Sequence, residues 1–145
     1  GEYDHVDIPA ADVWGVLMRK DNPLAKKKTI RKKDLLGIPL IYSRWASRRG
    51  PATNALVDWF GKDFEKLNVV ATYNLIYNAT LLVEEGIGSA LAIDGLANTT
   101  SASGLCFSPL EPRVESGLYM VWKKYQVFPP AAHLFLQRIL EKFAQ

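Results

Sequence analysis

The sequence is poor in the residues that a covalent or metal-based framework requires. Cys106 is the single cysteine and there are 2 histidines, so the chain has no intramolecular disulfide and no cluster of thiolates for a metal. His5 and His133 lie far apart in sequence, and His133, beside the apolar face of a C-terminal helix, is better interpreted as a boundary residue than as a ligand. We expect neither a metal nor a cofactor. A lone cysteine also fits a reducing compartment, which predicts the cytoplasm.

Long apolar runs and a strong charge excess are missing as well. The sequence has no uninterrupted apolar run of about 18 residues, and its first residues, GEYDHVDIPA, are acidic and unlike an export signal. We therefore expect no membrane association. The 18 basic and 15 acidic residues leave a net charge of +3, which is too small to predict nucleic-acid binding by itself. The chain begins at Gly1 rather than methionine, so we expect an excerpt of a longer protein.

Catalytic patterns are also missing. The sequence has no GxSxG elbow, no Walker loop and no GxGxxG fingerprint. The Gly86-Ile87-Gly88 stretch follows a helical pattern and precedes a strand, the reverse of a phosphate-binding loop, so we interpret it as a turn. Cys106 lies in an apolar strand, where an inert thiol is more common than a nucleophile. Because no acid, base and metal residues converge, we expect that the protein is not an enzyme.

What the sequence does contain is an alternation of short apolar strands and amphipathic helices. The 145 residues, 48% of them hydrophobic, predict one compact domain. Periodicity predicts helices over 51–61, 74–86 and 132–143, with Asn74 capping the second one and Gly86 ending it. Short apolar runs predict strands at 14–18, 38–42, 67–72, 90–93, 105–110 and 118–122. Such alternation is typical of an α/β domain with a mostly parallel sheet.

A basic run, KKKTIRKK at 26–33, places six of the 18 basic residues in eight positions. A phosphate-binding patch and a solvated face are both compatible with this density. No aromatic residue interleaves and no helix-turn-helix pattern surrounds the run, so a solvated face is the favoured interpretation.

Two strand-to-helix junctions are candidates for ligand binding. In an open parallel sheet, ligands collect beyond the carboxyl ends of the strands, where the N–H groups of the following helices are exposed. We expect a cradle for a small anion or carboxylate there, with Arg44 adding charge and Trp45 a flat apolar wall. The alternative is that Asn74 merely caps its helix and Ser43 merely turns the chain. The candidate residues are Ser43, Arg44, Trp45, Tyr73, Asn74, Leu75 and Ile76.

Several stretches together resemble the effector-binding region of the LysR-type transcriptional regulators, bacterial proteins with a winged helix-turn-helix head. No single motif is diagnostic, but the order and spacing of the stretches are specific, and they cover nearly the whole chain. The stretches are WGVLMRKDNPLA at 14–25, KDLLGIPLI at 33–41, YNLIYNATLLVEEGIGSALAI at 73–93, LCFSPLEP at 105–112 and GLYMVWKKYQVFPPAAHLFLQRILEKF at 117–143.

The resemblance implies the type II periplasmic-binding-protein fold, with two Rossmann-like α/β subdomains joined by crossing antiparallel strands and an effector held between them. Residues 20–116 would form the second subdomain. Residues 1–19 and 117–145 would supply the crossing strands and a helix of the first subdomain, which is incomplete here. The DNA-binding head is expected to lie outside this chain.

The function implied by the resemblance is effector sensing. A small effector would contact Ser43, Arg44 and 73–75, and its binding would be transmitted to DNA through the helix-turn-helix of a homodimer or homotetramer. Trp59 and Phe60 are candidates for the dimer interface, with core packing as the alternative use of both. The alternative function is a solute-binding protein of a transport system with the same fold.

Overall fold

The computed structural model describes residues 1–45 and 55–144, so the predicted start of a helix at Pro51 lies outside the described residues. The chain divides into a central unit, Val13–Glu115, and a terminal unit formed by Gly1–Asp12 and Ser116–Gln145. The sequence-based division grouped residues 13–19 with the terminal segments. The structure has them in the central unit because they pair with two of its strands.

The predicted strands and helices occur in the expected order with shifted ends, whereas a strand at 30–31 and a helix at 32–35 were not predicted. Two 3₁₀ helices, Pro23–Lys26 and Gly61–Lys66, accompany them. The strands are β1 (Tyr3–Arg19), β2 (Ile30–Arg31), β3 (Leu40–Ser43), β4 (Val69–Tyr73), β5 (Ser89–Ile93), β6 (Leu105–Glu111) and β7 (Glu115–Lys123). The α-helices are α1 (Lys32–Leu35), α2 (Ala55–Phe60), α3 (Ile76–Glu84) and α4 (Pro130–Phe143).

The described strands of the central unit lie in the order β2-β6-β1-β5-β3-β4. β3 is parallel to both β4 and β5, and β2 is parallel to β6. β1 is antiparallel to β5 and β6. The parallel part arises because α3 crosses over between β4 and β5 and returns the chain in the same direction. The predicted α/β class with parallel strands and antiparallel crossing strands is therefore confirmed.

Both faces of this sheet are covered. Alternate residues of a strand point to opposite faces, and accordingly Val16 and Met18 belong to one core cluster whereas Leu17 belongs to the other. The first cluster packs on Leu56 and Phe60 of α2, and the second on α3. Burial on both faces explains why these strands are continuous apolar runs instead of alternating ones.

The turn between α3 and β5 was predicted correctly. Gly86 has φ +75°, a conformation that ends α3 without the penalty of a side chain. A Cβ on Gly88 would lie 2.7 Å from the Pro39 carbonyl oxygen, and the Ser89 N–H donates to that same oxygen at 3.0 Å. The glycine pair therefore allows β5 to enter the sheet beside β3.

The terminal unit contains the first part of β1, most of β7 and α4. The N–H of Lys124 donates to the Glu2 carbonyl at 2.8 Å, and the Lys124 ammonium lies 3.3 Å from the Asp4 carboxylate. The predicted amphipathic helix is confirmed as α4, yet none of its described residues is buried. Among the described residues of this unit, one apolar side chain is buried, that of Val6, which is 7% exposed.

Candidate functional site

The two predicted junctions lie side by side at the carboxyl ends of β3 and β4. Ser43 and Tyr73 are register partners in the parallel pair. The N–H of Arg44 donates to the Tyr73 carbonyl oxygen at 2.8 Å. This hydrogen bond extends the pairing by one residue beyond β3 and fixes the distance between the two junctions.

The start of α3 differs from the prediction by one residue. Leu75, with extended backbone (φ −121°, ψ 135°), is the N-cap residue and makes no side-chain cap, so the prediction that Asn74 caps the helix is wrong. The Asn74 Oδ1 instead accepts from the adjacent Leu75 N–H at 3.0 Å and from Asn78 Nδ2 at 3.4 Å. The N–H groups of Ile76 and Tyr77 open the helix and have no intrahelical acceptor.

Tyr73 contributes its backbone to the junction, and its side chain belongs to the core. The side chain is only 8% exposed, and its hydroxyl donates to the Leu91 carbonyl oxygen at 2.9 Å. Burial raises the pKa of Tyr73 to about 12, so the hydroxyl stays protonated as a donor at neutral pH. Ile76 is half-buried and packs against the same core. The Tyr73 side chain is therefore not presented to solvent as a ligand contact, whereas a contact through the half-buried Ile76 stays a prediction.

The exposed side chains at the junctions include a cation, an indole, a leucine and the Asn74 amide. Arg44 is exposed, and Trp45 and Leu75 are 62% and 64% exposed. Ser43 is half-buried at the end of β3. The junction therefore combines helix N–H groups, one guanidinium and apolar surface, which are the components needed to bind a small molecule with a carboxylate and an apolar body.

The two candidates for the dimer interface occupy different environments. Phe60 is fully buried and its ring lies 4.8 Å from the Trp59 ring, centroid to centroid. A side chain without exposed surface contacts no partner, so Phe60 is a core residue and its assignment to an interface is wrong. Trp59 is half-buried and packs against the same core. Its role in an interface stays a prediction.

A second depression was missed by the sequence analysis. It has a volume of about 520 Å³ and lies at the opposite, amino ends of β3 and β5, with Pro39, Gly88 and Ser89 in its wall. At its rim the Arg19 guanidinium binds the Asp21 carboxylate through Nε (2.9 Å) and Nη2 (2.6 Å). The sequence did show a polar turn after β1. A turn pattern does not show which strands lie opposite the turn, so the depression could not be predicted from it.

Within 1–45 and 55–144, histidine, cysteine, aspartate and glutamate form no group of three or more that would hold a metal ion. In the same part of the chain, no helix is both long and apolar enough to cross a membrane.

Known structures share this architecture. The effector-binding domain of QuiR, in complex with shikimate, superposes with a TM-score of 0.75 at 14% identity over 99% of this chain and 66% of that one. HinK, a LysR family transcriptional regulator from Pseudomonas aeruginosa, has a TM-score of 0.74 at 17% identity over 98% of this chain and 48% of that one. The regulatory domain of CcmR from Synechocystis, in complex with 2-PG, has a TM-score of 0.67 at 16% identity over 98% of this chain and 67% of that one. The fold is thus that of the effector-binding domains of these regulators.

The family follows from a separate comparison. The model of the LysR substrate binding domain matches residues 10–144, and the chain belongs to this family. None of the curated protein sequences compared with it matches this chain. The chain spans 50% and 48% of two of the regulators that it resembles in structure. The resemblance noted in the sequence is confirmed, and it favours a regulator over a transport protein.

Proposed function

We propose that this chain senses a small anionic effector on behalf of a bacterial transcriptional regulator, and that the effector binds where β3 and β4 end. The observation that carries the proposal is the 2.8 Å hydrogen bond from the Arg44 N–H to the Tyr73 carbonyl. It places the backbone of the exposed Arg44 beside Tyr73, just ahead of α3, so that a guanidinium and the positive end of a helix dipole start from neighbouring backbone positions.

Each part of the junction has a chemical role in this proposal. The N–H groups of Ile76 and Tyr77 donate to the anionic group of the effector, and the dipole of α3 favours its negative charge. Arg44 supplies the full positive charge, while Trp45 and Leu75 contact the apolar part of the molecule. QuiR and CcmR were solved with the small molecules shikimate and 2-PG, which supports a small effector here as well.

Regulation in this proposal is a shift between two arrangements of the subdomains on either side of the effector. An effector shifts such an equilibrium only if its affinity for the two arrangements differs. The regulator is proposed to act in the cytoplasm as a homodimer or homotetramer, with Trp59 as the remaining interface candidate, and to contact DNA through a helix-turn-helix outside this chain.

Calorimetric titration of the chain with shikimate, 2-PG and a series of other small carboxylates tests the site. We expect Arg44→Gln to weaken binding about tenfold, the effect of losing one charge-assisted hydrogen bond. Lys62→Gln removes an equal charge from an exposed position of the same unit and should leave the affinity unchanged. Binding that Arg44→Gln leaves intact, or no binding of any anion in the series, contradicts the proposed site.

A further inference from the structure

Five of the six cations of the basic run line one continuous strip of positive charge in the central unit. Two adjoining depressions, of about 300 and 440 Å³, share Arg31, Lys33 and Glu111 in their walls. We define the basic strip as the cations that line them, which are Lys27, Lys28, Arg31, Lys32 and Lys33. The strip lies beside β2, whereas the effector junctions lie at β3 and β4, at the other end of the strand order.

Among the described residues, two carboxylates line the depressions together with the strip, and each of them is already paired. A third, Asp63, acts on Lys32 from outside the depressions. Asp34 binds the Lys27 ammonium at 2.6 Å and also accepts from the Arg31 N–H at 2.9 Å. Glu111 binds the Arg31 guanidinium at 3.1 Å and the Thr29 hydroxyl at 2.6 Å. The hydrogen bonds from Lys27 and Arg31 lower the pKa values of Asp34 and Glu111 respectively, so both stay ionised at neutral pH.

The charge balance gives the strip an excess of positive charge. Five cations and two carboxylates give it a net charge of three, which equals the +3 of the whole chain. All other residues together are therefore neutral. Among the described residues, Lys28, Lys32 and Lys33 have no ion-pair partner. Their charge remains available to a bound anion.

From this arrangement we infer that the basic strip binds the phosphate backbone of double-stranded DNA without reading its sequence. The depressions are open and continuous, which suits an extended polyanion that gains affinity by releasing counterions at several points. A small anion would remain largely hydrated there, because ligand sites normally bury most of the ligand. Within the part of the chain that the structure describes, no aromatic side chain lines the strip, so these residues do not provide stacking of unpaired bases, the usual basis of single-strand binding.

Salt dependence gives the inference a quantitative form. If the three uncompensated charges each neutralise one phosphate, log K falls with log[salt] with a slope of about −2.7. A rise in NaCl from about 50 to about 200 mM then weakens binding about 40-fold. Fluorescence anisotropy of a labelled duplex of mixed sequence, titrated with the 145-residue chain, measures this slope. A second duplex of unrelated sequence should give the same affinity.

A matched pair of double variants assigns the effect to the strip. Lys28→Gln with Lys33→Gln should reduce the steepness of the slope by about 2, because each contact to a phosphate contributes about 1. Lys123→Gln with Lys142→Gln changes the net charge equally at exposed positions outside the strip and should leave the slope unchanged. Circular dichroism and thermal denaturation check that each variant is folded. The inference goes beyond effector sensing and does not depend on it.

Several outcomes would overturn the inference. One is the absence of duplex binding at about 50 mM NaCl, and another is an equal loss in both double variants. Inorganic pyrophosphate that binds as tightly as the duplex would identify a site for small phosphates instead. Polyglutamate that competes as well as the duplex would identify a partner of another class, an acidic protein surface.

Discussion

The central and terminal units are built from similar sequence patterns but differ in burial. In the central unit, Leu56 and Phe60 of α2 and Ala79 and Val83 of α3 are buried. α4 of the terminal unit has the longest amphipathic pattern in the chain, yet its described residues include no buried one. Periodicity therefore indicates that one face of a helix is apolar, and the neighbouring elements decide whether this face is covered.

The strands of the two units also differ in how much of their apolar surface is exposed. In the central unit, β3 and β5 are covered on both faces, and their residues from Leu40 to Tyr42 and from Ala90 to Ala92 are at most 2% exposed. In β7, Leu118, Tyr119 and Val121 are 37%, 61% and 57% exposed. The same types of residue thus contribute differently to stability in the two units. Three matched pairs of substitutions test this comparison.

The largest effect is expected at two helical phenylalanines. Phe60→Ala removes a fully buried ring and should lower the free energy of unfolding by about 3 to 5 kcal/mol through lost burial and the cavity left behind. Phe135→Ala removes a ring that is 58% exposed and should change it by no more than about 0.5 kcal/mol. Urea denaturation followed by circular dichroism measures both. Equal losses in the free energy of unfolding would contradict the difference between the two units, because they would mean that the apolar face of α4 is covered in solution.

An intermediate effect is expected at two glycines within strands. A Cβ on Gly15 would overlap the Phe107 ring and lie 2.5 Å from the Ser108 carbonyl oxygen. Gly15→Ala should therefore cost about 1 to 3 kcal/mol, because neighbouring backbone must shift. At Gly117 the nearest atom would be the Tyr119 hydroxyl oxygen at 3.3 Å, at the end of an exposed side chain, so Gly117→Ala should cost no more than about 0.5 kcal/mol. Thermal denaturation measures the stability of both variants. A Gly15→Ala variant as stable as the parent chain would contradict the close approach of β1 to β6.

The smallest effect is expected at two tyrosine hydroxyls. Tyr73→Phe removes the 2.9 Å hydrogen bond to the Leu91 carbonyl and should cost about 1 kcal/mol. Tyr119 is 61% exposed, and Tyr119→Phe should be neutral within about 0.5 kcal/mol. Because the Tyr73 hydroxyl stays protonated up to a pKa of about 12, its contribution should be constant from neutral pH to about pH 10. A Tyr73→Phe variant as stable as the parent chain would mean that this hydrogen bond contributes nothing measurable.

Much of the fold could be predicted because local signals and tertiary context agree in the central unit. The helical spacing of Ala79 and Val83, together with Gly86, predicted α3 and its end. The start of α3 was predicted less well. Asn74 has the side chain of a good cap, but pairing of Ser43 with Tyr73 extends β4 and moves the N-cap to Leu75. A cap preference of about 1 kcal/mol is too weak to decide such a boundary against sheet pairing.

The candidate site could be predicted only in part for a similar reason. The sequence identified the junctions because strand and helix patterns adjoin there. It did not reveal that Tyr73 turns its side chain into the core, since an aromatic residue at a strand end suits a pocket wall and a core equally well. Phe60 illustrates the same ambiguity, because a stripe of apolar residues does not specify which member faces solvent.

By itself, the sequence determined the order of strands and helices, the α/β class and the concentration of positive charge in 26–33, because these depend on residues that are neighbours along the chain. Only the tertiary structure decided which apolar faces are covered, which side chains meet at the ends of β3 and β4, and that Asp34 and Glu111 neutralise part of the basic strip. These outcomes depend on contacts between residues far apart in sequence, and no local pattern encodes such contacts.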